Sequence, residues 1–205
     1  MDPHKLDRRL QDLRTLLLRP LLRLLDGLHI HPNHITIFGL LVGLGIFALL
    51  LVGRYQTAAI LILFAVLVDG IDGSLARFQG SASDRGKFLD MNVDSYVATL
   101  LILGLMHQSL ISPLIGGVLI YLMVLGLVYS TILDALHHKS DWLFHTRAGF
   151  MAQWPKFTYY GLFVLFAFTS IDVLEESAFL FIFYLLIVDA LRFARILHVK
   201  YAEKQ

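Results

Sequence analysis

Residues 69–94 read DGIDGSLARFQGSASDRGKFLDMNVD, and the architecture of the chain turns on how that stretch is read. Asp69 and Asp72 stand at the end of one long apolar run, Asp90 and Asp94 near the start of the next. A fifth acid, Asp84, falls in the polar link between the runs and reads as solvated. Residues three and four apart share a helix face, so Asp69 and Asp72 line up with Ala76 four further on. Asp90 and Asp94 line up with Gly86, one turn earlier. Two helices joined by a short turn would each present a carboxylate pair with small residues alongside. An ionised carboxylate at the centre of a bilayer helix costs roughly 2.5–3.5 kcal/mol on insertion scales, so four of them need partners. Arg77, Arg85 and Lys87 are at hand, but three bases do not easily satisfy four acids on two faces. A divalent cation removes the penalty, and an all-oxygen ligand set suits Mg2+, Mn2+ or Ca2+ over softer metals.

The flanking runs set the fold class. Of 205 residues, 57% are hydrophobic and 16% charged, with a mean hydropathy of +0.70. That is too apolar for an ordinary soluble domain and predicts an all-α polytopic membrane protein. The net charge of +1 decides nothing by itself. The absence of cysteine excludes disulfides, thiolate catalysis and Cys-ligated zinc. Charges interrupt the N-terminal apolar residues throughout, which excludes a cleavable signal there.

Six apolar segments of spanning length are expected, at about 35–53, 56–78, 87–109, 112–135, 149–170 and 177–199. Before them, Leu6, Leu10, Leu13, Leu17, Leu21, Leu24 and Leu28 follow helical spacing, while Arg8, Arg9, Arg14, Arg19 and Arg23 break any spanning run. This predicts an amphipathic helix on the membrane surface within residues 1–30, bent at Pro20, ahead of a six-helix bundle over 35–199. Nothing divides the chain, so 1–205 reads as a single domain. Glycines inside spans, among them Gly39, Gly43, Gly104, Gly116 and Gly126, are read as sites of close helix approach.

Charge in the connections predicts orientation. Arg77, Arg85 and Lys87 lie in one connection, Lys139 and Arg147 in another, and Arg192, Arg195, Lys200 and Lys204 at the last span's end. The opposite connections are uncharged at 110–112 and acidic at 171–176, and only Arg54 spoils the pattern. The positive-inside rule then puts both termini and the aspartates on the cytoplasmic side of a multi-pass protein, expected in a prokaryotic-type cell membrane.

Asp69-x-x-Asp72-Gly73-x-x-Ala76-Arg77, eight residues, Gly86, three residues, Asp90, three residues, Asp94 resembles the signature of the CDP-alcohol phosphotransferases, with every position filled and every spacing kept. The resemblance extends to a surface helix, a Pro32-Asn33-x-x-Thr36 entry and six spans. It implies an enzyme that displaces CMP from a CDP-linked lipid, usually CDP-diacylglycerol, by attack of an alcohol hydroxyl with Mg2+ or Mn2+ in the site, two ions in all. On that resemblance Asp69, Asp72 and Asp90 would hold metal, and Asp94 would help ligate a second ion and act as general base. Asn33, Thr36, Gly73, Ala76, Arg77, Ser83 and Gly86 would contact the CDP-lipid. A homodimer is implied, and no nucleic-acid partner.

The chemistry of the residues fits independently: phosphoryl transfer needs charge neutralised and an in-line nucleophile. Gly73 and Ala76 leave room for close approach to the helix backbone, and Arg77 offers a planar fork to an anion. The acceptor, a small alcohol that is phosphorylated or not, is less marked. Lys139, Arg147, Lys156, Arg192 and Arg195 are candidates for an anion pocket, although Arg192 also stands three residues after Asp189, at ion-pairing distance on a helix. Lys156-x-Thr158 is loosely similar to a Lys-Thr of glycerophosphate-using members, which makes glycerol 3-phosphate the first acceptor suggested. Inositol phosphate and serine stay open. An intramembrane Mg2+-dependent prenyltransferase would need two Asp-rich motifs far apart rather than one hairpin. A cation transporter would put its acids near the midplane.

Overall fold

A computed structural model describes Thr15, residues 17–136 and residues 157–202. Among the described residues every regular element is a helix. They are α1 (residues 17–27), α2 (Pro32–Leu51), α3 (Tyr55–Phe78), α4 (Asp84–His107), α5 (Pro113–Leu136), α6 (Phe157–Thr169) and α7 (Leu174–Ala202). Five of them, α2 to α5 and α7, are long and apolar enough to cross a bilayer, which makes the chain an integral membrane protein of polytopic helical type. The sixth expected span, 149–170, is represented by the shorter apolar helix α6; residues 149–156 lie outside the described residues.

In lipid, apolar residues gain little by turning inward, so shape and small residues decide which faces pack. Here α2 packs on α3 and α4, α4 on α5, and α5 on α7. Two of the glycines set these distances. A methyl group at Gly43 would lie 2.7 Å from Val97 Cγ2, and one at Gly104 would lie 2.8 Å from Leu50 Cβ, so both bring α2 and α4 together. Gly39, one turn before Gly43, is looser: its nearest neighbour, Val68 Cγ1, would be 3.9 Å away. Ile46, Leu50, Ile62, Leu101, Leu105 and Phe163 fill the core, while Leu41, Leu67, Tyr121, Leu180 and Phe183 face outward. An apolar exterior of this kind suits hydrocarbon and would be a liability in water.

The ends are tied by polar contacts. Gln108 donates to the carbonyls of Leu50 (2.6 Å) and Leu51 (3.3 Å) and accepts from the Tyr55 hydroxyl (2.9 Å), closing the α2 C-terminus over α3 and α4. Helix termini otherwise leave carbonyls unsatisfied, and in a membrane that is costly. At the opposite end Gln79 donates to Asp26 (3.0 Å) and the Ile30 carbonyl (3.1 Å), fastening α1 beside the α3–α4 link. The leucines expected on the apolar stripe of α1 are outward: Leu17, Leu21, Leu24 and Leu28 are all exposed, and Leu22, off that stripe, is the buried one. Pro20 lies within the helical segment.

Candidate functional site

The α3–α4 hairpin is set by its caps. Gly80 sits at φ +63°, and the bonds Gly80 N–H to Arg77 O and Ser81 N–H to Ala76 O close a Schellman motif that ends α3. Ser83 then caps α4, its hydroxyl accepting from the Gly86 amide at 3.2 Å. The short link brings the acidic ends of both helices side by side. One carboxylate oxygen each from Asp69, Asp90 and Asp94 lies within 4.8 Å of the others, and all three residues are half-buried. Two oxygens held by one ion are at most about 4–5 Å apart, twice a bond of roughly 2.0–2.6 Å, so the triplet is close enough for a hard divalent cation to gather. Asp72 is outside that triplet. It is buried, and its Oδ2 accepts from the Thr36 hydroxyl at 2.8 Å. A carboxylate has lone pairs to spare for a further contact.

Two adjoining cavities meet at these acids. A small chamber of about 30 Å³ is lined by all four aspartates together with Thr36, Tyr160 and apolar residues of α2, α3 and α4. A larger cleft of about 220 Å³ is lined by Asn33, Thr36, Gly73, Ala76, Arg77, Ser83 and Gly86, every residue expected to meet the CDP-lipid. Thr36, Asp72 and Asp90 line both, so the chamber and the cleft share a wall. Asp69 and Asp94 line the chamber alone, and Asp94 stands one turn deeper along α4 than Asp90. The cleft backs onto the start of α2, where Pro32 takes the first helical position and His31 Nδ1 accepts from the Asn33 amide at 3.3 Å. Arg77 is exposed and lines the cleft, and its Nη2 donates to the buried Ser74 hydroxyl at 3.3 Å.

Lys87 and Ser81 also line the cleft, and neither was among the candidate ligands. Lys87 follows Gly86 directly, and its place in the connecting loop was the available signal. Nothing local marked Tyr160, which arrives from α6. Of the acceptor candidates, Lys139, Arg147 and Lys156 lie outside the described residues. Arg192 is elsewhere engaged: it is 5% exposed, and Nη1 donates to Asp189 Oδ1 and to the Gly126 carbonyl of α5, both at 3.2 Å. A methyl at Gly126 would come within 2.7 Å of that nitrogen, so the glycine makes room for the pair. Arg195 is half-buried one turn further along α7.

A model of the CDP-alcohol phosphatidyltransferase family matches residues 29–197. The chain belongs to that family. A CDP-alcohol phosphatidyltransferase is a transferase of phospholipid biosynthesis, and the membrane-spanning helices around a polar cleft agree with that membership. Among curated proteins, the chain is 44% identical over 92 residues to an uncharacterized protein of Aquifex aeolicus, covering 44% of this chain and 46% of that one. It is 38% identical over 89 residues to the inner membrane protein YnjF of Escherichia coli, covering 43% of each. It is 40% identical over 66 residues to the archaetidylinositol phosphate synthase of Aeropyrum pernix, covering 30% of this chain and 34% of that one. The chain thus spans less than half the length of these relatives. Among solved structures it resembles the Mycobacterium tuberculosis phosphatidylinositol phosphate synthase PgsA1 with CDP-DAG bound, at a TM-score of 0.59 and 18% identity, covering 86% of this chain and 92% of that one. PgsA1 in complex with manganese and citrate gives the same TM-score at 21% identity, covering 86% and 87%. At such identity the likeness establishes the fold.

Proposed function

We propose that the protein transfers a phosphatidyl-type group from a CDP-linked lipid such as CDP-diacylglycerol to an alcohol hydroxyl, releasing CMP. The observation that carries this reading is the shared wall: a chamber shaped by Asp69, Asp90 and Asp94 for a divalent ion opens beside a cleft lined by Asn33, Thr36, Gly73, Ala76, Arg77, Ser83 and Gly86. Asp69, Asp72, Asp90 and Asp94 would hold Mg2+ or Mn2+, two ions in the full site. Bound there, the ions supply charge neutralisation on the pyrophosphate and lower the pKa of the attacking hydroxyl. Gly73, Ala76 and Gly86 give the nucleotide a path close to the helix backbones, and Arg77 and Lys87 offer cationic donors to phosphate. The acceptor oxygen attacks the lipid-side phosphorus in line, the bond to CMP breaks, and Asp94, at the inner end of the chamber, takes the hydroxyl proton. The CDP-DAG and manganese of the PgsA1 structures support these ligand classes.

Both termini and the cleft face the cytoplasm in this reading, because Arg77, Arg85 and Lys87 flank the hairpin and acids flank the other end. Helix α1 lies on that surface, its leucine stripe in the lipid and its arginines at the headgroups. Two copies form a homodimer, and each chain is one domain. For the acceptor, the glycerol 3-phosphate reading rests on Lys156-x-Thr158, of which Lys156 lies outside the described residues. A second reading, inositol phosphate, is favoured by the relatives whose names carry an inositol phosphate product. Lys139, Arg147, Lys156 and Arg195 would hold the phosphate of either, with serine the unphosphorylated alternative.

The test is CMP release from labelled CDP-diacylglycerol by purified protein, with Mg2+ or chelator, against inositol phosphate, glycerol 3-phosphate and serine. Metal-dependent CMP release with one acceptor supports the reading; no release with any of them, at full metal, overturns it. One variant probes the donor cleft separately. A methyl at Gly86 would meet Ser83 Oγ at 3.4 Å and Asn33 Oδ1 at 3.6 Å, ordinary contacts, so Gly86→Ala should fold at least as well as the parent. Because that methyl projects into the cleft wall, the KM for CDP-lipid should rise about tenfold, the scale of a small overpacking cost. Steady-state kinetics against the lipid, with acceptor saturating, would show it.

A further inference from the structure

Helix α6 reads FTYYGLFVLFAFT over residues 157–169, and its two adjacent tyrosines face different tasks. Tyr159 turns to α7: its hydroxyl donates to the Leu174 carbonyl at 3.4 Å and its ring meets Phe181 edge-on at 5.4 Å. Tyr160, 5% exposed, lines the small chamber with the four aspartates. The remaining lining is Thr36 and apolar or glycine residues. A phenylalanine would fill the same volume, so the hydroxyl at this depth calls for a chemical reason: buried tyrosine hydroxyls are kept where they find a hydrogen-bond partner. Ionised carboxylates only accept, and the Thr36 proton is given to Asp72. Tyr160 therefore brings an O–H donor to a chamber whose other polar side chains are four carboxylates and Thr36. A space of about 30 Å³ is enough for an ion with bound water.

We infer that Tyr160 is a positioning residue of the divalent-ion site, donating a hydrogen bond to the oxygens that surround the ion, carboxylate or ion-bound water. The inference rests on the metal reading above and adds to it a residue from the far half of the chain. Groups that hold metal ligands in place change affinity by about 10- to 100-fold when removed. The experiment titrates Mn2+ into the purified full chain in detergent by calorimetry, without donor or acceptor, for wild type, Tyr160→Phe and Tyr159→Phe. Tyr160→Phe should weaken Mn2+ binding by about 10- to 100-fold, with its metal-free thermal midpoint at the wild-type value, and raised Mn2+ should restore CMP release. Tyr159→Phe should bind Mn2+ as wild type does. Unchanged Mn2+ affinity in Tyr160→Phe, with or without a lowered midpoint, overturns the inference and makes Tyr160 a core tyrosine. Absence of Mn2+ binding in the wild type overturns the metal reading itself, and the inference with it.

Discussion

Asp69→Asn is expected to lower metal-dependent CMP release by at least about 10²–10³-fold, the scale of losing one group that stabilises transition-state charge. Asparagine keeps the shape of the side chain and removes its charge. The Asp69 oxygen lies within 4.8 Å of those of Asp90 and Asp94, so a missing charge there leaves two carboxylates where three converge. Asp69 lines the chamber and not the cleft, so the variant should still bind the CDP-lipid and keep its fold. Initial rates across a Mg2+ series, read with a thermal midpoint, separate these effects. Activity within tenfold of wild type at low Mg2+ would remove Asp69 from the ion's shell.

Arg192→Ala should destabilise the protein by about 3–5 kcal/mol, as expected when one partner of a buried ion pair is removed. Asp189 and Arg192 are 4% and 5% exposed, and the guanidinium also reaches the Gly126 carbonyl on α5. Alanine would strand an ionised carboxylate among apolar helices and release the clasp between α5 and α7. The double variant Asp189→Leu with Arg192→Met removes both charges and should recover most of the loss, since an apolar replacement of a buried pair is often neutral or stabilising. Unfolding in detergent measures both. A stable Arg192→Ala with only a raised acceptor KM would instead assign the side chain to the acceptor pocket.

What the sequence made legible follows from how local each signal is. The hairpin was readable because Asp69/Asp72 and Asp90/Asp94 recur at helical spacing and the link between them is short, so neighbouring helices had to bring them together. The spread of the four acids was less so: Asp72 accepts a hydrogen bond from Thr36, a contact spanning 36 residues that no periodicity announces. Gly43 behaved as a small residue at a helix crossing should, while Gly39 at the same spacing has slack, because a stripe does not say which of its members meets a partner. Arg192 carried two readings in the sequence, and the carbonyl exposed by Gly126 on another helix favours the pair with Asp189. Tyr160 shows the limit most plainly. Its neighbours in sequence are aromatic and apolar, and only the approach of α6 to α2, α3 and α4 gives it a polar surrounding.

The central claim is that carboxylates from α3 and α4 enclose a divalent ion. The direct measurement is anomalous diffraction from crystals of the protein grown with Mn2+, collected for wild type and Asp69→Asn. The account predicts a manganese peak among the carboxylates of Asp69, Asp90 and Asp94, weakened or absent in the variant. A well-ordered wild-type crystal with no peak there, or with its manganese bound away from those three residues, would contradict it.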